Sequence, residues 1–197
     1  MFTKTQAEIM KVFVSKINEN FSIKQISEII KKAYPLVHRS VKSLVNGGFL
    51  IKDKRGLLSL NYCENFGDIA YIESLRKDEF LKDKIMKMFV LDVLSKINSN
   101  FFVFLVFGSA VESREPRDID ILLITPRKEE VNETEKIVAN ISSNFSKKFD
   151  INVISAESAE EMLGKRESTN MLNETLNKHI ILFGAENYYR ILKNARQ

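Results

Sequence analysis

Five residues carry a pattern that can do chemistry: Gly108-Ser109, then, after eight residues, the two carboxylates of Asp118-Ile119-Asp120, and finally Asp150 within Phe149-Asp150-Ile151-Asn152. Side chains alternate along an extended strand, so Asp118 and Asp120 share a face with Cα atoms about 6 to 7 Å apart, while Ile119 and Ile121 point the other way. The run Ile121-Leu122-Leu123-Ile124 is apolar on both faces and belongs inside a sheet, where two carboxylates are costly unless they are paired or bind a cation. At the start of such a strand they meet solvent. Joined by Asp150, at the start of another strand, they form the donor set that can hold two hard cations about 3.5 to 4 Å apart for in-line displacement at phosphorus. Gly108-Ser109 closes an apolar strand and complements them: glycine lets an anion approach backbone N–H groups, and Ser109 adds a hydroxyl donor. Together these groups point to phosphoryl or nucleotidyl transfer. In that reading one ion on all three aspartates activates an attacking hydroxyl, and a second on Asp118 and Asp120 neutralises departing pyrophosphate.

Such groups need strands to hold them. From Phe101 the pattern alternates strand and helix: a strand over 102–107, a turn and short helix, a strand over 119–124, a helix over 131–147, a strand over 149–155, and helices over 156–166 and 169–178. Ahead of this α/β body, apolar clusters at helical spacing between Asp68 and Ile97 predict one or two helices that pack on the sheet, with Met86 and Met88 as core filler. His38 and His179 read as surface or packing residues, since neither has an acidic partner at a suggestive spacing. Tyr188-Tyr189 is open to two uses, stacking on a base or packing the last helix.

The first 62 residues have a different character. Ile9, Met10, Phe13, Val14 and Ile17 mark a helix from about Gln6, Ser22 caps a second over 23–30, and Pro35 opens a third with Val37, Val41, Leu44 and Val45 on one face. Gly47-Gly48 ends it, and two short strands over 49–51 and 57–60 flank the basic turn Asp53-Lys54-Arg55-Gly56. Residues 1–62 hold eleven Lys/Arg against four Asp/Glu, a net +7. The rest holds 19 against 22, a net −3, so the overall +4 conceals a basic head and a mildly acidic body. Phosphate neutralisation dominates nucleic-acid affinity, and this head has the charge for it.

Other classes fall away. A lone Cys63 allows no intrachain disulfide and suits a reducing, cytoplasmic compartment. One cysteine and two histidines offer no structural zinc spacing. The longest apolar run, Phe101 to Phe107, is far short of the roughly twenty residues of a membrane span, and the amino terminus lacks the apolar stretch of a signal peptide.

Three helices, a hairpin and the junction Leu44-Val45-x-x-Gly48-Phe49-Leu50 resemble the winged helix-turn-helix family over about residues 1–62. The resemblance implies that the third helix enters a duplex DNA groove through His38, Arg39 and Lys42, while the wing residues Lys52, Lys54 and Arg55 touch the backbone. Winged helices also serve as protein-docking and dimerisation modules.

Phe107-Gly108-Ser109-x8-Asp118-Ile119-Asp120-Ile121-Leu122-Leu123-Ile124, with Asp150 thirty positions on, resembles the signature of the DNA polymerase beta superfamily, in particular its minimal nucleotidyltransferase branch. The resemblance spans about residues 82–183. It implies transfer of a nucleoside monophosphate, usually AMP from ATP, to a hydroxyl acceptor with Mg²⁺ or Mn²⁺. It also implies that Asp118, Asp120 and Asp150 are the metal ligands and that Gly108 and Ser109 hold the triphosphate. Two departures stand out. The loop Val111-Glu112-Ser113-Arg114-Glu115 is short and lacks a second glycine, and Arg117 replaces the usual serine, open either to contacting a phosphate or to pairing with a neighbouring aspartate.

The expectation is therefore an α+β chain of two domains: a winged helix over 1–62, a helical connector over 63–81, and a nucleotidyltransferase-type domain over 82–197 with a mixed sheet flanked by helices. The expected partners are duplex DNA at the head and no membrane, with a separate helical protein, as minimal nucleotidyltransferases often have, or a second copy of the chain. The alternative is a DNA-binding transcriptional regulator whose transferase-like body senses a nucleotide or dimerises without turnover.

Overall fold

The structure, a computed structural model, describes residues 1–97, 99, 102–113, 116–165 and 170–196. Phe101, Arg114, Glu115, Arg166 and Thr169, which enter the expectations above, lie outside them.

The chain is α+β. Helix α1 (Lys4–Ser15) starts earlier than the spacing predicts because Thr3 and Gln6 cap each other's backbone amides. Ser22 and Gln25 do the same for α2 (Ile23–Ile29), and α3 (Tyr34–Asn46) carries Pro35 in its first turn. Strands β1 (Leu50–Lys52) and β2 (Leu58–Leu60) form an antiparallel hairpin. At its tip Asp53 Oδ1 accepts the amides of Arg55 and Leu57, and Gly56 takes a φ of +83°. Two helices follow, α4 (Phe66–Phe80) and α5 (Lys84–Lys96).

The main sheet has four strands, β3 (Val103–Phe107), β4 (Ile119–Thr125), β5 (Phe149–Ser155) and β6 (His179–Phe183), in the order β5-β4-β3-β6. It is mixed: β4 runs parallel to β5, and β3 runs antiparallel to both β4 and β6. The remaining helices are α6 (Val131–Ser142), α7 (Ala156–Gly164), α8 (Met171–Thr175) and α9 (Ala185–Arg196).

Alternation along the strands decides what covers each face. Phe104, Val106, Ile121 and Leu123 pack with Met86, Phe89 and Val93 of α5 and Val138 of α6. Leu105, Phe107, Leu122 and Ile124 face the other way, into a cluster with Ile69 and Ile72 of α4, Leu163 of α7 and Leu192 of α9. Each such fully buried side chain contributes about 1.5 to 3 kcal/mol. This second cluster continues without a break into Ile9, Phe13, Val41 and Leu44 of the first three helices, so basic head and sheet share one core. Among the described residues no helix is long and apolar enough to cross a membrane.

Four sequence expectations need correction. Met86 is buried, but Met88, two residues on and therefore on the far side of α5, is 60% exposed. Helix α6 stops at Ser142 instead of 147, because Ser142, Ser143 and Asn144 turn their side chains onto carbonyls of the preceding turn and compete with the helix. The expected helix over 169–178 shrinks to the five residues of α8. The edge strand β6 is an element the sequence pattern does not mark. Its run His179-Ile180-Ile181-Leu182-Phe183 is too short for periodicity to tell strand from helix.

Candidate functional site

Register places the three aspartates. Asp120, on the central strand β4, lies opposite Phe107 of β3 on one side and opposite Asp150 of β5 on the other. Phe107 in turn lies opposite His179 of β6. Residues directly opposite each other share a face. Asp150, Asp120, Phe107 and His179 therefore form one row across all four strands. Asp118 lies in the bend one residue before β4, near enough for its charge to act on Asp120. Asp118 and Asp120 are half-buried and Asp150 is exposed.

The electrostatics of Asp120 follow from this row. Burial raises its proton affinity, and the charges of Asp150, Asp118 and Glu174 raise it further, so its carboxyl titrates above the ordinary aspartate range. Asp118 Oδ1 is buried without a hydrogen-bond partner, and its nearest cation, Lys148 Nζ at 3.2 Å, makes an ion pair out of line for a hydrogen bond. The amide of Ile119 donates to the Lys148 carbonyl, which ties the two segments together. Arg117 is exposed and, among the described residues, forms no ion pair with these carboxylates; Lys148 does what the sequence left open to Arg117. Among the described residues no three His, Cys, Asp or Glu side chains are gathered closely enough, as they stand, to ligate one metal ion.

Gly108 is the point where the carboxylates meet a cavity. It has a φ of +69°, which strains any residue with a side chain, and a Cβ added there would sit 2.5 Å from Asp120 Oδ2, so that carboxylate would have to shift. Its own amide donates to the Lys178 carbonyl at 3.2 Å. The helix expected after it is a four-residue 3₁₀ turn, Gly108–Val111, whose first amides after Gly108 belong to Ser109 and Ala110. Beside this turn opens a cavity of about 790 Å³ lined by Gly108, Ser109, Glu112, Glu174, Asn177 and Lys178 among others. Lys178 Nζ bridges to Glu112 at 3.1 Å across its mouth.

The sequence reading missed Lys148, Glu174 and Lys178. Lys148 stands two positions before Asp150, on the approach to a strand that carries a candidate ligand, and that adjacency was a usable signal. Glu174 lies in α8 and Lys178 immediately before β6, so no signal tied them to the site once that strand went unseen.

At the basic head, His38, Arg39, Lys42, Lys52, Lys54 and Arg55 are all exposed, and among the described residues none takes part in an ion pair. His38, Lys42 and Lys52 come together around a groove of about 320 Å³ between α3 and β1. Arg39 looks instead into a shallow depression beside α1, with Thr3 and Gln6, and Lys54 and Arg55 occupy the hairpin tip. Tyr34, half exposed at the start of α3, lies against the His38 ring at 6.0 Å. The tyrosines Tyr188 and Tyr189 are fully buried, which resolves their use in favour of packing.

No protein-family model, curated protein or solved structure matches this chain.

Proposed function

We propose that the chain is a metal-dependent nucleotidyltransferase that moves a nucleoside monophosphate, AMP from ATP, onto a hydroxyl acceptor, with residues 1–62 acting as a winged helix that binds nucleic acid. The observation that carries this reading is the row itself: Asp120 sits between Asp150 and the Gly108 turn, with only acidic neighbours acting on its charge. Carboxylates gathered around Asp120 with, among the described residues, no cation acting on it leave that charge to be met by something bound. Three carboxylates are the donor chemistry a hard divalent cation takes, though the side chains would have to draw closer to share one ion, and Asp118 Oδ1, which accepts no hydrogen bond and meets only the exposed Lys148 ammonium, is an atom such an ion would satisfy. Asp118, Asp120 and Asp150 would hold Mg²⁺ or Mn²⁺, which when bound supplies positive charge to the developing pyrophosphate and eases deprotonation of the acceptor hydroxyl.

The chain's own groups have separate tasks. The Ser109 hydroxyl and the opening amides of its turn hold the triphosphate, while the bare Cα of Gly108 lets it approach the carboxylates. Lys178, at the mouth of the adjoining cavity, offers an ammonium that exchanges Glu112 for a phosphate oxygen. Arg117, exposed and one residue before Asp118, would be free to meet the same anion.

A second reading, a DNA-binding regulator that senses a nucleotide without turnover, draws on one observation. The turn after α1 is bonded to the cavity wall: Ile17 donates its amide to the Leu176 carbonyl at 2.9 Å, and Asn18 donates its amide to Asn177 Oδ1 at 3.1 Å.

The deciding experiment incubates the protein with each α-labelled nucleoside triphosphate and Mg²⁺, alone and in cell lysate, beside Asp118→Asn and Asp120→Asn. Transfer of label that disappears in both variants supports the enzyme. Nucleotide binding without any transfer to an acceptor gives the regulator. For the head, duplex DNA binding should weaken steeply with salt, and replacing Lys42, Lys52 and Lys54 with alanine should flatten that slope by about one unit for each phosphate no longer neutralised.

A further inference from the structure

A second charged cluster lies on the same face of the sheet, closed to solvent. Glu73 and Arg76, one turn apart on α4, are 1% and 8% exposed, and His179 of β6 is fully buried. Glu73 Oε2 accepts from Arg76 Nη1 at 2.7 Å, and Glu73 Oε1 accepts from the Tyr189 hydroxyl at 2.8 Å and lies 3.2 Å from His179 Nε2. His179 Nδ1 faces the Thr175 carbonyl, and Arg76 Nη2 donates to the carbonyl of His179 itself. Helix α4 thus grips both the ring and the backbone of one residue.

Stability alone does not ask for such a cluster, because desolvation commonly offsets the attraction of buried ions and apolar residues of equal volume serve as well. Position is what it supplies. His179 is the β6 partner of Phe107, and the Lys178 carbonyl just before it receives the amide of Gly108 just after Phe107. The β3–β6 ladder shifts register between Phe104 and Leu105, so the end that carries Gly108 is held on β6 by three consecutive pairs, Leu105–Ile181 to Phe107–His179, of which the last belongs to the residue the cluster grips. That end faces the carboxylate closely, since a Cβ built on Gly108 would lie 2.5 Å from Asp120 Oδ2.

We propose that Glu73, Arg76 and His179 are positioning residues that lock β6, and through it Gly108, at the separation from Asp120 that the site requires. The consequence for catalysis rests on the nucleotidyl-transfer reading; the geometry does not.

The test compares the full chain with Glu73→Gln, Arg76→Met and the milder Tyr189→Phe, which removes only one donor to Glu73. Val138→Ala, buried on the opposite face of the sheet, is the control for lost stability. At temperatures giving equal stability, amide exchange at Gly108 should be about tenfold or more faster in the cluster variants than in the control. AMP transfer should lose about 10- to 100-fold in kcat with KM little changed, Tyr189→Phe showing the smallest loss, because a displacement near 1 Å suffices for such effects. Equal exchange at Gly108 in variants and control, once stability is matched, overturns the proposal. A parent protein that transfers no nucleotide overturns the enzyme reading instead, and the exchange measurement still decides the positioning role. Should Glu73→Gln and Arg76→Met not fold, Tyr189→Phe decides it.

Discussion

Glu73, packed against His179, and Asp120 face the same side of one sheet, yet their carboxyls are shifted in opposite directions. Burial raises both. For Glu73 that penalty is outweighed by Arg76, by His179 and by the Tyr189 hydroxyl, so its carboxyl stays ionised below the usual glutamate range. For Asp120 every neighbouring charge adds to the penalty, since Asp150, Asp118 and Glu174 are all acids. Among the described residues, one carboxylate is neutralised within the fold and the other is surrounded by like charge. On the roles proposed above, that asymmetry separates a group that specifies geometry from a group that meets a ligand.

The largest expected effect breaks the closed cluster. Arg76→Met leaves Glu73 buried without its cation and should destabilise the protein by about 3 to 5 kcal/mol in urea unfolding. Asp120→Asn should move the other way and stabilise at pH 7, by no more than about 1 kcal/mol because solvent still screens a half-buried carboxylate, or roughly 2 to 4 °C in Tm. Destabilisation by both substitutions would erase the contrast.

Acid sharpens it. A lowered carboxyl contributes stability that is present above the ordinary glutamate value of 4.5 and is lost as pH falls through its folded value. A raised carboxyl costs stability at neutral pH, and that cost disappears as pH falls through the folded value to the ordinary 3.8. The gain from Asp120→Asn should therefore be complete at pH 7 and gone below about pH 4, whereas the loss from Glu73→Gln should persist unchanged to about pH 4.5 and shrink only below it. Thermal melts of both variants and the parent across that range check the crossing.

Between Arg76→Met and Asp120→Asn in size is Gly108→Ala, expected to cost about 1 to 2 kcal/mol from its left-handed backbone, plus the clash with Asp120 Oδ2. Combining it with Asp120→Ala should recover the clash and leave the backbone part, and the difference between single and double variants measures how tightly turn and carboxylate abut. Strict additivity would mean that the two do not touch.

Local rules read from residue types carried far. The alternation Asp118-Ile119-Asp120 before an apolar run marked the start of an interior strand, and the helical spacing of Ile9 to Ile17 and Val37 to Val45 located two of the head's helices. Asp150 was placed at the start of a strand by its apolar flank, but only register could bring it opposite Asp120. What stayed illegible depends on partners distant in sequence. His179 read as a packing residue because Glu73 lies more than a hundred positions away, and His179-Ile180-Ile181-Leu182-Phe183 carries no period that marks a strand. The 3₁₀ turn after Gly108, the amide it yields to Lys178 and the choice of Lys148 over Arg117 as Asp118's cation are set by tertiary geometry that spacing does not encode.

The smallest effect on stability is the most informative about the open cluster. Lys148→Ala removes an ion pair whose lysine is three-quarters exposed, and exposed pairs contribute below about 1 kcal/mol. Its effect on cation affinity should be larger. The Lys148 ammonium lies 3.2 Å from Asp118 Oδ1 and competes for the oxygen a divalent ion would use, so its removal should tighten Mg²⁺ or Mn²⁺ binding severalfold. The same ion should then raise the Tm of Lys148→Ala more than that of the parent at equal concentration, and should not raise that of Asp120→Asn at all. If Lys148→Ala instead weakens metal-nucleotide binding while leaving metal alone unaffected, the lysine is a phosphate ligand and not a competitor. Titration of the metal with and without nucleotide separates the two, because a competitor acts on the ion in the absence of any triphosphate.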